Sequence, residues 1–150
     1  MRTPAQIARH PIHPMLVPIP IGLWIFSFVC DLIFVLGSGA SLWFTLSFWT
    51  MIGGLIGALI AAIPGVIDML SLAGNVKRLA LTHMALNVTV VVLYAINIGT
   101  RIDAGGIGAL QLTLSIIAIG MLAVSGWIGG HMVYVHRVAV TEPGEVGSRR

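Results

Sequence analysis

The chain is poor in charge. Only 9% of its 150 residues are charged, whereas 57% are hydrophobic and the mean hydropathy is +1.00. A soluble domain of this size could not bury so much apolar surface, so lipid must cover it. The few basic residues lie in short loops and tails without interleaved aromatic residues, a pattern that speaks against nucleic-acid binding.

Cysteine is almost absent as well. Cys30 is the only one, so no internal disulfide can form, and its apolar surroundings indicate a small packing residue. No His stands beside Cys30, and Ser125 lacks a nearby base with an orienting partner. The sequence therefore gives no support to an independent hydrolase and leaves open whether the chain is an enzyme.

Gaps between charged residues mark the membrane spans. Uncharged runs of 21 residues after Arg9 and 22 residues after Arg78 each suit one crossing. The 36 uncharged residues after Asp31 are too many for one crossing, and the turn-forming residues 37–41 divide them. We predict helices at about 15–36, 43–70, 79–100 and 107–136. The expected fold is all-α, a transmembrane four-helix antiparallel bundle with up-down-up-down topology.

Three regions follow from this pattern. Residues 1–14 form a collar rich in Pro and His, residues 15–140 the transmembrane domain, and residues 141–150 a disordered polar tail. The first apolar run is too long for a signal peptide and carries Asp31, which favours a retained helix.

The charge distribution predicts the orientation. An even number of spans places both termini on one side, which then holds seven of the eight basic residues and leaves only Arg101 on the other. The positive-inside rule therefore predicts a multi-pass protein with both termini in the cytoplasm.

The collar leads into the first helix through residues 10–22, which contain four prolines and two histidines. His10 and His13 each precede a proline, and a residue in that position is biased away from the helical region. We therefore expect extended backbone at both histidines.

The predicted topology gathers all the histidines on the side of the termini, together with one carboxylate. These residues are His10, His13, Asp68, His83, His131 and His136. Ionisable groups near membrane depth tend to mark a site, and imidazole is the commonest metal ligand. A purely structural role at the interface is the alternative for each histidine. For Asp68 the alternative is a cap on polar backbone groups or a pair with Lys77, Arg78 or a histidine.

Two cofactor hypotheses follow. In the first, His83 and His131 face each other on the third and fourth helices and ligate haem b, with Asn87 supporting the site and His13 as a further cofactor-binding candidate. In the second, a transition metal binds to a set drawn from the same side of the membrane. That set comprises His10, His13, Asp68, His83 and His136. We do not expect His131 and His136 to share an ion, because five residues separate them by about 140° around a helix.

Two further features have structural and functional interpretations. Asp31, in the first helix, needs a partner such as Asn97 or Arg101, and is either a proton-relay carboxylate or part of an inter-helix hydrogen bond. Small residues recur every four positions on the second and fourth helices, which favours close helix packing over room for a flat cofactor. They are Gly53, Gly57, Ala61, Gly65, Gly126 and Gly130.

Several of these segments together resemble the DUF2231 family from about His10 to Val140. The resemblance rests on residues 10–22, Asp31, residues 65–68, His83 with Asn87, and residues 125–140. It implies a bacterial four-helix membrane protein. Members of that family are in some cases fused to or encoded near Rieske-type iron–sulfur domains, which implies a redox setting. The resemblance favours His13 and His83 as site residues.

Three functions remain open at this point. The first is a small redox subunit of the bacterial inner membrane that holds haem or a metal and works with a redox partner protein or as a homo-oligomer. The second is a transport protein for protons, ions or small solutes that uses Asp31, Asp68 and the histidines. The third is a cofactor-free assembly subunit whose glycine-rich faces dock other helices.

Overall fold

The computed structural model describes residues 3–37 and 39–140. The tail predicted at 141–150 lies outside these residues. The elements in chain order are β1 (Gln6–Ile7), β2 (His10–Pro11), α1 (Ile12–Leu16), α2 (Pro18–Leu36), α3 (Ser41–Leu70), α4 (Gly74–Arg101) and α5 (Ala109–Tyr134). The two short strands form an antiparallel hairpin in which Ile7 pairs with His10.

The predicted fold class is confirmed. Four helical segments are long and apolar enough to cross a membrane, the first of them formed by α1 and α2 together. Only 17–28% of the most apolar window of each segment is buried within the chain, so most of its side chains are left to face lipid. Short connections join successive helices, an arrangement that fits the expected up-down-up-down topology.

Several helix boundaries differ from the prediction by two to five residues, among them the start of α4 and the end of α5. α4 begins at Gly74 and not near 79, because its first turns carry Lys77 and Arg78, which a charge-gap criterion assigns to a loop. α5 ends at Tyr134, so His136 lies beyond the helix. The helical periodicity that we applied to His131 and His136 therefore does not hold for that pair.

The collar is extended at His10 but helical at His13. His10 lies in β2, as expected, whereas His13 lies in α1 despite preceding Pro14. Pro14 is the third residue of α1, where backbone N–H groups have no partner within the helix, so the missing N–H of proline costs little there. The bias of residues before proline is thus overridden in a first turn.

The centre of the bundle is an apolar layer. The indole of Trp24 on α2 stacks on the ring of Tyr94 on α4, with ring centroids 4.4 Å apart and nearly parallel planes. The Trp24 Nε1–H also donates to the Met51 carbonyl of α3. Val90, Met51 and Leu122 complete this layer, which joins all four long helices.

Glycines on α3 allow α2 to pack closely. A Cβ atom on Gly54 would lie 2.5 Å from the Trp24 ring, and one on Gly53 would lie 3.2 Å from Leu23. The packing interpretation therefore fits the stripe on α3. On α5 no atom of the described residues lies within 4 Å of the position of a Cβ on Gly126, so that glycine makes no close approach to them.

A buried ion pair ties the helices together on the side away from the termini. Both Asp31 and Arg101 have fully buried side chains, and two parallel N–H···O bonds of 2.8 Å join the guanidinium to the carboxylate. Ser47 on α3 and Ser115 on α5 donate to the two carboxylate oxygens of Asp31. Asn97 accepts from the Arg101 Nε–H at 3.0 Å. The network thus links α2, α3, α4 and α5, and each of the two carboxylate oxygens of Asp31 accepts two hydrogen bonds.

These contacts favour the structural interpretation of Asp31. A carboxylate held by a bidentate Arg and two hydroxyl groups is well satisfied in a setting without water. Both partners suggested by the sequence, Asn97 and Arg101, belong to the network, with Arg101 in direct contact.

We expect Arg101→Met to destabilise the protein by about 3–5 kcal/mol, because it leaves the Asp31 carboxylate buried without its counter-ion. The double variant Asp31→Leu/Arg101→Met should recover most of this loss, because it removes both charges. The free energy of unfolding in detergent micelles, followed by circular dichroism, measures both effects. Asp103→Asn, at an exposed carboxylate on the same side, is the control. A wild-type stability for Arg101→Met would contradict the interpretation.

Candidate functional site

His13 is fixed by a contact between α1 and α3. Its Nδ1 lies 2.8 Å from the carbonyl oxygen of Ala61. Pro64 lies in the same part of α3, where its lack of a backbone N–H removes one hydrogen bond from the helical ladder. The ring also packs directly on Gly65, at which a Cβ atom would lie 2.8 Å from Nδ1. Only glycine therefore leaves room for the ring in this position.

His83 is fixed by a similar contact between α4 and α5. Its Nδ1 lies 2.9 Å from both the carbonyl oxygen and the Oγ of Ser125. Asn87, one turn further along α4, donates from Nδ2 to the same Oγ at 2.7 Å, so the predicted supporting role of Asn87 is matched by a contact. The ring packs on Gly129, where a Cβ atom would lie 3.2 Å from Cε1.

These hydrogen bonds indicate which tautomer each neutral ring adopts. A carbonyl oxygen can only accept, so Nδ1 of each histidine must donate and carry the proton. In the neutral ring the lone pair is then on Nε2. Each of the two histidines therefore has one nitrogen tied to the backbone, and among residues 3–37 and 39–140 the other has no hydrogen-bond partner and can bind a proton donor or a metal ion.

The two rings lie next to each other. Their centroids are 6.4 Å apart, and their planes are almost perpendicular, at 88°. His13 comes from the start of the chain and His83 from its middle, and both are partly buried. We call these two residues the histidine pair. It lies on the side of the bundle that carries the termini, opposite the Asp31–Arg101 network.

The other histidines do not join the pair. The ring neighbour of His131 is His136, at a centroid distance of 5.2 Å, and not His83 as the haem hypothesis supposed. This difference arises because the chain turns after α5 and brings His136 back beside His131. His10 is exposed on the hairpin, where its Nδ1 bonds to the carbonyl oxygen of Ala8 at 2.9 Å.

Asp68 has a separate partner. This buried carboxylate at the end of α3 accepts a hydrogen bond of 2.8 Å from the backbone N–H of Ala5. It thereby anchors the N-terminal segment against the bundle. Within residues 3–37 and 39–140, no three His, Cys, Asp or Glu side chains come together in a group that could hold a metal ion. The six residues expected to cluster thus form two pairs of rings, while His10 and Asp68 each have a partner of their own.

Sequence reasoning missed some groups that hold the pair. The carbonyl of Ala61 and the backbone and hydroxyl of Ser125 carry no sequence signal of their own as imidazole acceptors. Gly65 and Gly129 were available as signals, because each lies in a helix close to the end where the histidines were expected. Their role became visible only once the partner ring was known, since glycine spacing alone is common in membrane helices.

Comparison with known proteins agrees with the membrane-spanning fold. A family model described as a predicted membrane protein, DUF2231, matches residues 9–142. This range includes the histidine pair and the Asp31–Arg101 network. No curated protein and no solved structure gave a match.

The hydrogen bonds of the pair give a spectroscopic prediction. We expect the neutral rings of His13 and His83 to be in the Nδ1–H tautomer, because backbone carbonyls accept from both Nδ1 atoms. The ¹⁵N chemical shifts of labelled histidine in detergent micelles distinguish the tautomers, and the variants His13→Gln and His83→Gln assign the signals. The exposed ring of His131 is the control and should give mixed tautomers. An Nε2–H signal from either residue of the pair would contradict the geometry.

Proposed function

We propose that this chain, which belongs to the DUF2231 family of predicted membrane proteins, is a small redox-type membrane subunit that holds a metal ion at the histidine pair. The observation that carries the proposal is that Nδ1 of both His13 and His83 is tied to a backbone carbonyl. Histidines that ligate metals commonly donate their other ring N–H to such an acceptor, which fixes the tautomer and aims the free nitrogen.

The rigidity of the pair supports this proposal. Each ring is held by a hydrogen bond and by contact with a glycine on a neighbouring helix. The central layer and the Asp31–Arg101 network connect the long helices with one another. The backbone that carries the two rings is therefore held in place. A preorganised ligand pair of this kind reduces the entropy lost when an ion binds.

Haem b is the less favoured cofactor for this site. Its hypothesis depended on His83 facing His131, whose ring neighbour is His136. Both rings of the histidine pair pack directly on helix glycines, which leaves little space for a macrocycle beside them. Two apolar cavities of about 310 and 210 Å³ open elsewhere on the described surface, and neither is lined by His13 or His83.

Transport is supported less well than metal binding. The polar groups form two separate clusters, one around the histidine pair and one around Asp31 and Arg101. The stacked rings of Trp24 and Tyr94 lie between them in the apolar layer. A solute or proton path would have to pass this layer. The assembly alternative has one favourable observation, namely that Gly126 has no close neighbour in the part of the chain that the structure describes.

The proposal places the subunit in a bacterial inner membrane with both termini in the cytoplasm. The excess of Lys and Arg on the terminal side supports this orientation. The histidine pair then lies near the cytoplasmic face, where a redox partner protein could approach it.

Metal analysis tests the function. We expect about one equivalent of a transition metal per chain in protein purified without chelators. His13→Ala or His83→Ala should each weaken binding at least 100-fold, because either variant removes half of the ligands. The controls His10→Ala and His131→Ala should bind as the wild type does. Metal-free wild-type protein that fails to bind any added ion would refute the proposal, and a Soret band lost in His83→Ala would favour haem instead.

Reporter fusions test the orientation. A fluorescent protein that folds only in the cytoplasm, fused after Arg150, should be bright, and an alkaline phosphatase fusion at the same position should be inactive. A fusion after Asp103, which lies in the loop between α4 and α5, is the matched control and should give the opposite result. Active phosphatase after Arg150 would place the histidine pair on the outer side.

A further inference from the structure

We infer that the ion held by the histidine pair is monovalent copper, Cu(I), bound in line between His13 and His83. This inference rests on the proposed function and specifies its metal. It is carried by three properties of the pair: the number of donors, the charge around them and the separation of the rings.

The donor count is the first property. No third His, Cys, Asp or Glu of the described part of the chain joins His13 and His83. Structural Zn²⁺ sites take four protein ligands, and Ca²⁺ and Mg²⁺ require six or more oxygen ligands. Cu(I) is a d¹⁰ ion without a demand for square or octahedral coordination, and two imidazole nitrogens in line satisfy it. A site with only two donors therefore suits Cu(I) better than the divalent ions.

Charge is the second property. Two neutral imidazoles carry no negative charge to compensate a cation, and among residues 3–37 and 39–140 no carboxylate joins them as a ligand, since Asp68 is bonded instead to the Ala5 N–H. The cost of moving an ion out of water rises with the square of its charge, so a divalent ion would cost about four times as much as a monovalent one. Partly buried neutral ligands therefore select for the monovalent ion.

The ring separation is the third property. Two imidazoles that bind one ion in line, through metal–nitrogen bonds of about 2.1 Å, have ring centres about 6.5 Å apart. The centroids of His13 and His83 are 6.4 Å apart. Their perpendicular planes keep the edges of the rings from colliding in such a complex. The existing positions of the two helices therefore already have the span that a shared ion needs.

A two-coordinate site also has a consequence for redox behaviour. Cu(II) prefers a tetragonal set of four or more ligands, which the pair does not supply. The Nδ1 hydrogen bonds hold both rings to the backbone and prevent them from rearranging toward other donors. Such a site stabilises the reduced ion over the oxidised one and gives the subunit a high reduction potential.

Metal competition under anaerobic conditions tests the inference on the full-length protein in detergent. Metal-free protein is titrated with Cu(I) against the chelator bicinchoninate, and with Zn(II) and Fe(II) against chelators for those ions. We expect one Cu(I) per chain, with Zn(II) and Fe(II) bound at least 100-fold more weakly. His13→Asn and His83→Asn should each lower the Cu(I) affinity at least 100-fold, whereas His131→Asn should leave it unchanged.

X-ray absorption at the copper edge gives a readout that does not depend on any variant. Two nitrogen neighbours and the strong pre-edge feature of two-coordinate Cu(I) are expected for the wild-type protein. Three or more ligands would overturn the inference, as would tighter binding of Zn(II) or Fe(II) through His13 and His83, although the metal site itself would stand. No binding of any ion, or binding that both Asn variants retain while folded, would overturn the metal site as well.

Discussion

The bidentate ion pair between Asp31 and Arg101 is the contact on which the rest of the bundle depends. In lipid there is no water to satisfy a charged or polar side chain, so such groups must find partners inside the chain. The pair is completed by hydroxyl groups from α3 and α5, so that each long helix contributes to one network. Because apolar surfaces are not driven together in lipid, this polar network and the close glycine contacts supply much of the specificity of helix packing.

The same network sets the rotation of α4 and thereby the position of the histidine pair. His83, Asn87, Tyr94, Asn97 and Arg101 follow one stripe of α4 at spacings of three, four or seven residues. Once Arg101 points at Asp31, the other residues of this stripe must also face the interior. His83 is 18 residues away, about 27 Å along the helix. The ion pair at one end of the bundle thus sets the direction in which the His83 imidazole points at the opposite end.

The sequence predicted the fold well because its strongest signal, the length of its uncharged runs, follows directly from the thickness of a membrane. Uncharged runs of the length of a membrane crossing, bounded by charges, leave few alternatives to four helices. The partner of Asp31 was foreseeable for the same reason, because a carboxylate within a span requires a donor and Arg101 lies at the matching end of α4. By contrast, the helical state of His13 was not predicted, because the tolerance of a first turn for Pro14 outweighs the local bias against helix before proline.

The composition of the site was harder to predict than the end of the bundle at which its residues lie. Topology alone brings His13, His83 and His131 to one end of the bundle, but it says nothing about which rings become neighbours. That choice depends on the rotation of each helix and on backbone acceptors such as Ala61, whose carbonyl has no signature in the sequence. Gly65 and Gly129 each lie under one of the two rings of the pair, but their spacing alone did not connect them with the histidines. A glycine in a membrane helix therefore indicates more than helix packing when a neighbouring helix brings a histidine ring next to it. The missing side chain gives the imidazole room to lie against the backbone.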